Sequence, residues 1–240
     1  MTEDKDSKLL IVATGRSGTH HFSSVAQSLG LEVGHEELGD DGISSWCLVA
    51  ETDDVPYGPG LLELDTDEYV IGHQLRNPVK TIPSLTTMNK ASWRFISEDA
   101  EGRIPRKWWD RSPIEVKAMW HWLDWNQRAE KMAELHWTLE QAPKIGPELA
   151  EALSQPELAE DWAEEWREFK SPKNDARSRR PTLRSLTRTS PLVAYRRWRH
   201  AMGKLPATEE ALFEADPHLA RDVMAFWKAF KARVEASLQN

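Results

Sequence analysis

Six residues near the amino terminus, Thr14-Gly15-Arg16-Ser17-Gly18-Thr19, combine the parts of an anion-binding turn. Two glycines let the backbone turn tightly and approach a ligand closely. Arg16 brings a fixed positive fork, and Ser17 and Thr19 bring hydroxyl donors. The apolar run 9–13 precedes them, and Phe22, Val25, Ala26 and Leu29 follow at helical spacing. The amides of residues 16–20 then fall at a helix N-terminus, where unpaired N–H groups and the helix dipole favour negative charge. Gly15, Arg16, Ser17, Gly18, Thr19 and His20 are therefore the expected anion-binding residues. A lysine-bearing nucleotide loop reads G-x-x-x-x-G-K-[ST], and this one does not. A glycine-rich turn with no ligand is the plain alternative.

A second group sits in HQLRNPVKTIPS, residues 73–84. Arg76 leaves the end of an apolar strand, and Ser84 lies eight positions later on the helix that follows. A parallel sheet sets strand ends side by side, so Arg76 is expected to reach the crevice that Gly15 borders. Each residue alone reads equally well as a surface side chain.

The two groups together, T-G-R-S-G-T after the first strand and R-x-P-x-x-x-x-x-S about sixty residues on, resemble the sulfotransferases that use 3′-phosphoadenosine-5′-phosphosulfate (PAPS). V-G-H-E-x-x-G-x-D-G-I-S-S-W at 33–46 and W-H-W-L-D-W-N at 120–126 are similar to a small bacterial or phage-type branch of that family. The resemblance implies that the first loop holds the 5′-phosphosulfate and that Arg76 and Ser84 hold the 3′-phosphate. It implies a P-loop-like α/β fold of three layers around a central parallel sheet, and no metal. The match covers residues 1–140, expected to be the nucleotide-binding core. Residues 141–240 are expected to be a mostly helical extension on the acceptor side, within a single domain.

Sulfuryl transfer demands in-line positioning and stabilisation of charge on oxygens. Loop amides, Arg16 and His20 are expected to neutralise the leaving phosphate. An acceptor hydroxyl or amine also needs a base. Glu36 is the first candidate, because related carbohydrate sulfotransferases use a glutamate after the first helix. His35 is the second, with a reference pKa near 6.5 that suits the task, and His73 the third. Each also reads as a packing or turn residue. Asp41, Ser45 and Trp46 are expected to shape the site of a small-molecule or carbohydrate-like acceptor. Two rival readings stay open: a nucleotide-dependent kinase or NTPase, and a non-catalytic nucleotide-binding module.

These residues must be carried by recognisable elements. Strands are expected at 9–13, 31–33, 68–75 and 136–140, and helices at 113–134, 156–170 and 217–237. Asn77-Pro78 reads as an N-cap and first helical residue, with Pro83 kinking or ending that helix early. Ser112-Pro113-Ile114-Glu115 reads as a capping box. On the long helix that follows, Val116, Met119, Trp120, Leu123 and Gln127 trace one face. Residues 39–60 hold six glycines and prolines and read mainly as loop with short elements.

Composition narrows the class. With 240 residues, 40% hydrophobic, the chain suits one substantial core. The net charge of −8 argues against a general nucleic-acid binder. Segment 170–200 carries ten basic residues and one acid, a local +9 that leaves −17 for the rest. It is either a solvated loop or a focus for an anionic ligand. No apolar run approaches the roughly 18 residues of a membrane span, and the polar start lacks a signal-peptide pattern. One cysteine, Cys47, fits a reducing cytoplasm and reads as a buried small hydrophobe. Twelve tryptophans are mostly core, with one or two lining an acceptor groove.

Overall fold

A computed structural model of the chain describes residues 7–50, 52–169 and 207–238. The basic stretch 170–200 lies outside the described residues. Five strands, β1 (Lys8–Val12), β2 (Val33–His35), β3 (Gly42–Ser45), β4 (Tyr69–Leu75) and β5 (Leu135–Thr138), form one sheet in the order β2-β3-β1-β4-β5. Every pairing is parallel.

A parallel sheet needs cover on both faces. On β1, Leu9 and Ile11 enter one apolar cluster while Leu10 and Val12 enter another, and all four are fully buried. Successive side chains point to opposite faces, so a strand covered on both sides must be apolar throughout. That is why 9–13 reads as a continuous run. The first face is covered by α1 (Thr19–Ser28) and α2 (Pro78–Leu85), the second by α3 (Lys90–Asp99) and α4 (Arg106–Arg111). The result is a three-layer α/β domain.

The carboxyl-terminal part is mostly helical: α6 (Gly146–Ala152), α7 (Leu158–Glu168), α8 (Glu209–Ala215) and α9 (Pro217–Ser237). These helices continue the first core rather than building one of their own. On α7, Leu158, Trp162 and Trp166 recur at helical spacing and are buried, with Phe169 partly buried beside them. The ring of Trp162 packs 5.2 Å from Phe22 of α1, and its Nε1 donates to the Ala142 carbonyl at 2.7 Å.

Three expectations give way. Residues 42–45 are not loop but the buried strand β3, flanked by β2 and β1. Four residues beside glycine carry too little periodicity to read, and pairing on both edges supplies what propensity does not. The capping box at Ser112 does not form, because its Oγ donates back to the Trp108 carbonyl of α4 at 2.8 Å. The long helix α5 (Ile114–Met132) opens without a side-chain cap. Its buried surface is also broader than one stripe. Val116, Met119 and Trp122 enter one core, Trp125 and Ala129 the other, while Gln127 is exposed. A helix wedged between two cores buries more than the single face a periodic pattern describes.

Pro83 lies inside α2, which ends two residues later at Leu85. Among the described residues no helix is long and apolar enough to cross a membrane.

Candidate functional site

Between β1 and α1 the chain closes a compact loop. Thr14 and Ser17 pair through their hydroxyls at 2.7 Å, and the Ser17 amide donates to the Thr14 carbonyl at 3.2 Å. Gln74 of β4 donates to the Ser17 carbonyl at 2.9 Å, which ties the loop to the neighbouring strand. The left-handed backbone falls on Arg16 (φ 67) and Gly18 (φ 99). At Gly18 the backbone conformation favours glycine, and a Cβ would lie 2.9 Å from the Leu139 Cδ1 methyl, which would have to shift. The helix α1 then begins at Thr19 with no side-chain cap. Its first amides have no intrahelical acceptor.

Because β4 runs parallel beside β1, with Val12 opposite His73, their carboxyl ends emerge together. Arg76 is the first residue past β4, and its Nη1 donates to the Arg16 carbonyl at 2.7 Å. Two segments sixty residues apart in sequence are thereby joined a second time, beside the Gln74 bond to Ser17. Asn77 caps α2 as its sequence predicts, its side chain accepting from the Val79 amide at 2.9 Å.

A cleft of about 720 Å³ runs along this carboxyl edge of the sheet. From the end of β2 it takes His35 and Glu36, from β3 Trp46, and from the β1 loop Gly15, Arg16, Gly18, Thr19 and His20. Arg76 and Ser84 enter after β4, and Leu139 after β5. The strand order therefore lays the cleft out as a line, with Glu36 towards one end and Arg76 towards the other. Its volume lies within the range of small-molecule sites.

Most of the expected residues meet here, and several do not. Ser17 is fully buried, its hydroxyl committed to Thr14, so its side chain serves the loop and not the cleft. His73 is fully buried too, with Nε2 against Asn126 Oδ1 at 3.0 Å and Phe230 5.1 Å away. Burial pushes its pKa down to about 3, so it is a core residue rather than a base facing the cleft. Asp41 accepts from the Glu32 amide at 2.6 Å and closes the turn between β2 and β3. Ser45 is buried and accepts from the Cys47 amide at 3.2 Å. Of the three residues expected near an acceptor, Trp46 alone borders the cleft.

The remaining titratable groups cluster at the Glu36 end. Thr19 Oγ1 and His35 Nε2 lie 3.2 Å apart, and the His20 and His35 rings meet edge to face at 5.0 Å. His20 and His21 diverge as adjacent helical residues do, His21 packing against Trp166 at 4.5 Å. Burial lowers the His21 pKa, partly offset by a backbone hydrogen bond with Trp166. Glu36 adopts a left-handed backbone, φ 58, where β2 ends. Behind it, Cys47 is buried, its pKa pushed up to about 12 by burial and then by the Glu36 charge. A neutral thiol is a packing group, as expected of Cys47.

Seven cleft residues escape sequence reading, His21, Met88 and Leu139 among them. Tyr57 lies in a stretch that reads only as turns, and Asn89 and Ser92 open a helix whose role is not evident in the sequence. Trp166 arrives from the carboxyl-terminal extension. The one usable signal is Asn89, an N-cap residue before an amphipathic stretch. Among the described residues no group of three or more His, Cys, Asp or Glu side chains is arranged to hold a metal ion. No protein-family model, curated protein or solved structure matches the chain.

Proposed function

We propose that the chain is a sulfotransferase that moves a sulfuryl group from PAPS to a small-molecule or carbohydrate-like acceptor, on a P-loop-like core. One observation carries the reading. The Arg76 guanidinium reaches the Arg16 carbonyl, so the first loop and the Arg76–Ser84 segment border one cleft. A donor with phosphate groups at two positions on its ribose needs two anion sites in a single crevice. The loop amides with Arg16, and Arg76 with Ser84, are chemically suited to that pair of tasks.

In this reading the α1 amides and Arg16 bind the 5′-phosphosulfate, and Arg76 and Ser84 bind the 3′-phosphate. His20 stands beside the loop and helps neutralise charge on the leaving phosphate; one such donor is worth about 3–4 kcal/mol. Glu36, or His35 beside it, takes the acceptor's proton. Trp46 and Trp166 narrow the acceptor side.

The test is transfer of label from radiolabelled PAPS to a broad acceptor panel. Labelled product supports the reading. Tight binding of adenosine 3′,5′-bisphosphate with no transfer makes the cleft a binding module instead. Nucleotide binding that requires magnesium favours a kinase or NTPase.

A further inference from the structure

Tyr57 stands at the Glu36 end of the cleft without a role in the reading above. Its ring lies 6.4 Å from Trp46. The next residue, Gly58, has φ 70, and a Cβ there would meet the Glu36 carbonyl oxygen at 2.7 Å. Only glycine allows that approach. The turn that carries Tyr57 is thus pressed against the residue that carries Glu36, and both side chains border the same space.

Asn89 fixes the phenol. Its Oδ1 accepts from the Ser92 amide at 2.9 Å and caps α3, which turns the amide nitrogen toward Tyr57. The Nδ2 then donates to the Tyr57 hydroxyl oxygen at 2.6 Å. A phenol whose oxygen accepts this bond directs its own hydrogen elsewhere. Ser92 Oγ lies 3.4 Å away, a long contact compared with an ordinary O–H···O bond. A ligand oxygen in the cleft is the better acceptor.

Resting on the sulfotransferase reading, we infer that Tyr57 is a specificity-determining hydrogen-bond donor, and that it selects a hydroxyl over an amine as the acceptor nucleophile. A hydroxyl oxygen has two lone pairs. One accepts from Tyr57 and the other attacks sulfur. A neutral amine has a single lone pair, and accepting from Tyr57 occupies the pair it needs for attack. In the step, the acceptor oxygen forms the new O–S bond. The bond between sulfur and the 5′-phosphate oxygen breaks, and its electron pair leaves on that oxygen. The acceptor's proton passes to the Glu36 carboxylate, and nothing is oxidised or reduced.

The experiment offers radiolabelled PAPS with matched pairs of acceptors, sugars and aryl alcohols beside their amino counterparts, to wild type, Tyr57→Phe and Asn89→Asp. The aspartate keeps the acceptor that caps α3 but gives the phenol hydrogen a carboxylate to bond, drawing it out of the cleft. Alcohols are expected to be labelled in preference to matched amines, and both variants to lose about tenfold in kcat/KM for the alcohol, the value of one hydrogen bond. Thermal stabilisation by adenosine 3′,5′-bisphosphate is expected to stay at the wild-type level, which also shows that the variants fold. Preference for amines, or wild-type turnover of alcohols by both variants, overturns the inference alone; no labelling of any pair while the bisphosphate still binds overturns it together with the parent reading. Loss of bisphosphate binding by wild type itself refutes the parent reading instead.

Discussion

The two ends of the cleft are built differently. Where β1 and β4 end, the cleft is bordered by the glycine loop and by Arg16 and Arg76, set by two short segments on adjacent strands. Where β2 and β3 end, they are side chains from separate segments: Glu36, Trp46, Tyr57 and the opening of α3. An anion is recognised by the direction of N–H groups, and a six-residue turn fixes those by itself. An acceptor is recognised by surfaces, and these exist only once distant segments pack.

The sharpest way to break this division is to remove a group at each end and ask which property fails. Glu36→Gln is expected to lower turnover by about 100-fold or more, as loss of a general base does, while affinity for adenosine 3′,5′-bisphosphate stays near wild type. Steady-state kinetics beside calorimetry checks it, and full activity would move the base to His35. Arg76→Ala is expected to cost about 3 kcal/mol of bisphosphate binding, the upper range for hydrogen bonds to charged groups, or roughly 100-fold. Adenosine 5′-phosphate should lose far less. Equal losses for the two ligands would mean that Arg76 only braces the loop through Arg16.

A smaller effect separates the histidines of the cleft from those of the core. His121 is fully buried among Trp46, Trp93 and Trp125, and neither ring nitrogen has a hydrogen-bond partner among the described residues. Burial, then Arg128 and Arg103, pushes its pKa down to about 3 from 6.5. The unfolded chain takes a proton that the folded one refuses. The fold therefore carries no protonation penalty from His121 and His73 above pH 6.5, and it loses stability as pH falls from there toward about 3. The loss approaches about 1.4 kcal/mol per pH unit for each group. His121→Leu is expected to gain about 1–2 kcal/mol at neutral pH by removing unpaired polar atoms. Urea unfolding at several pH values should also show a shallower acid limb; an unchanged slope would mean that His121 is not the titrating group.

The smallest effect concerns Arg16, whose left-handed backbone costs an L-residue about 1 kcal/mol. Arg16→Gly is expected to leave the melting temperature unchanged or slightly raised while weakening bisphosphate binding. A clear fall in stability would show that the arginine side chain supports the loop's structure.

The same division explains what was legible. β1, the loop, α1, β4 and the Asn77–Pro78 start of α2 are each specified by contiguous residues: an apolar run, glycine positions, a cap. β3 was not legible, since its four residues gain strand character from neighbours on both sides. Ser17 misled because its hydroxyl has a local partner three residues back, which a motif read as a string does not reveal. His73 and Ser45 misled because position along a strand does not tell which side chains reach the edge. Tyr57 and Asn89 lie 32 residues apart and matter only as a hydrogen-bonded pair.

The most direct test of the account is a thermal-shift comparison of wild type with adenosine 3′,5′-bisphosphate, adenosine 5′-phosphate, ATP, GTP and NAD, without metal. The account predicts the largest stabilisation with the bisphosphate, well above that with the 5′-phosphate, since only the former engages both the α1 amides and Arg76. Equal stabilisation by the two adenosine phosphates, or a larger shift with ATP or GTP, would contradict it.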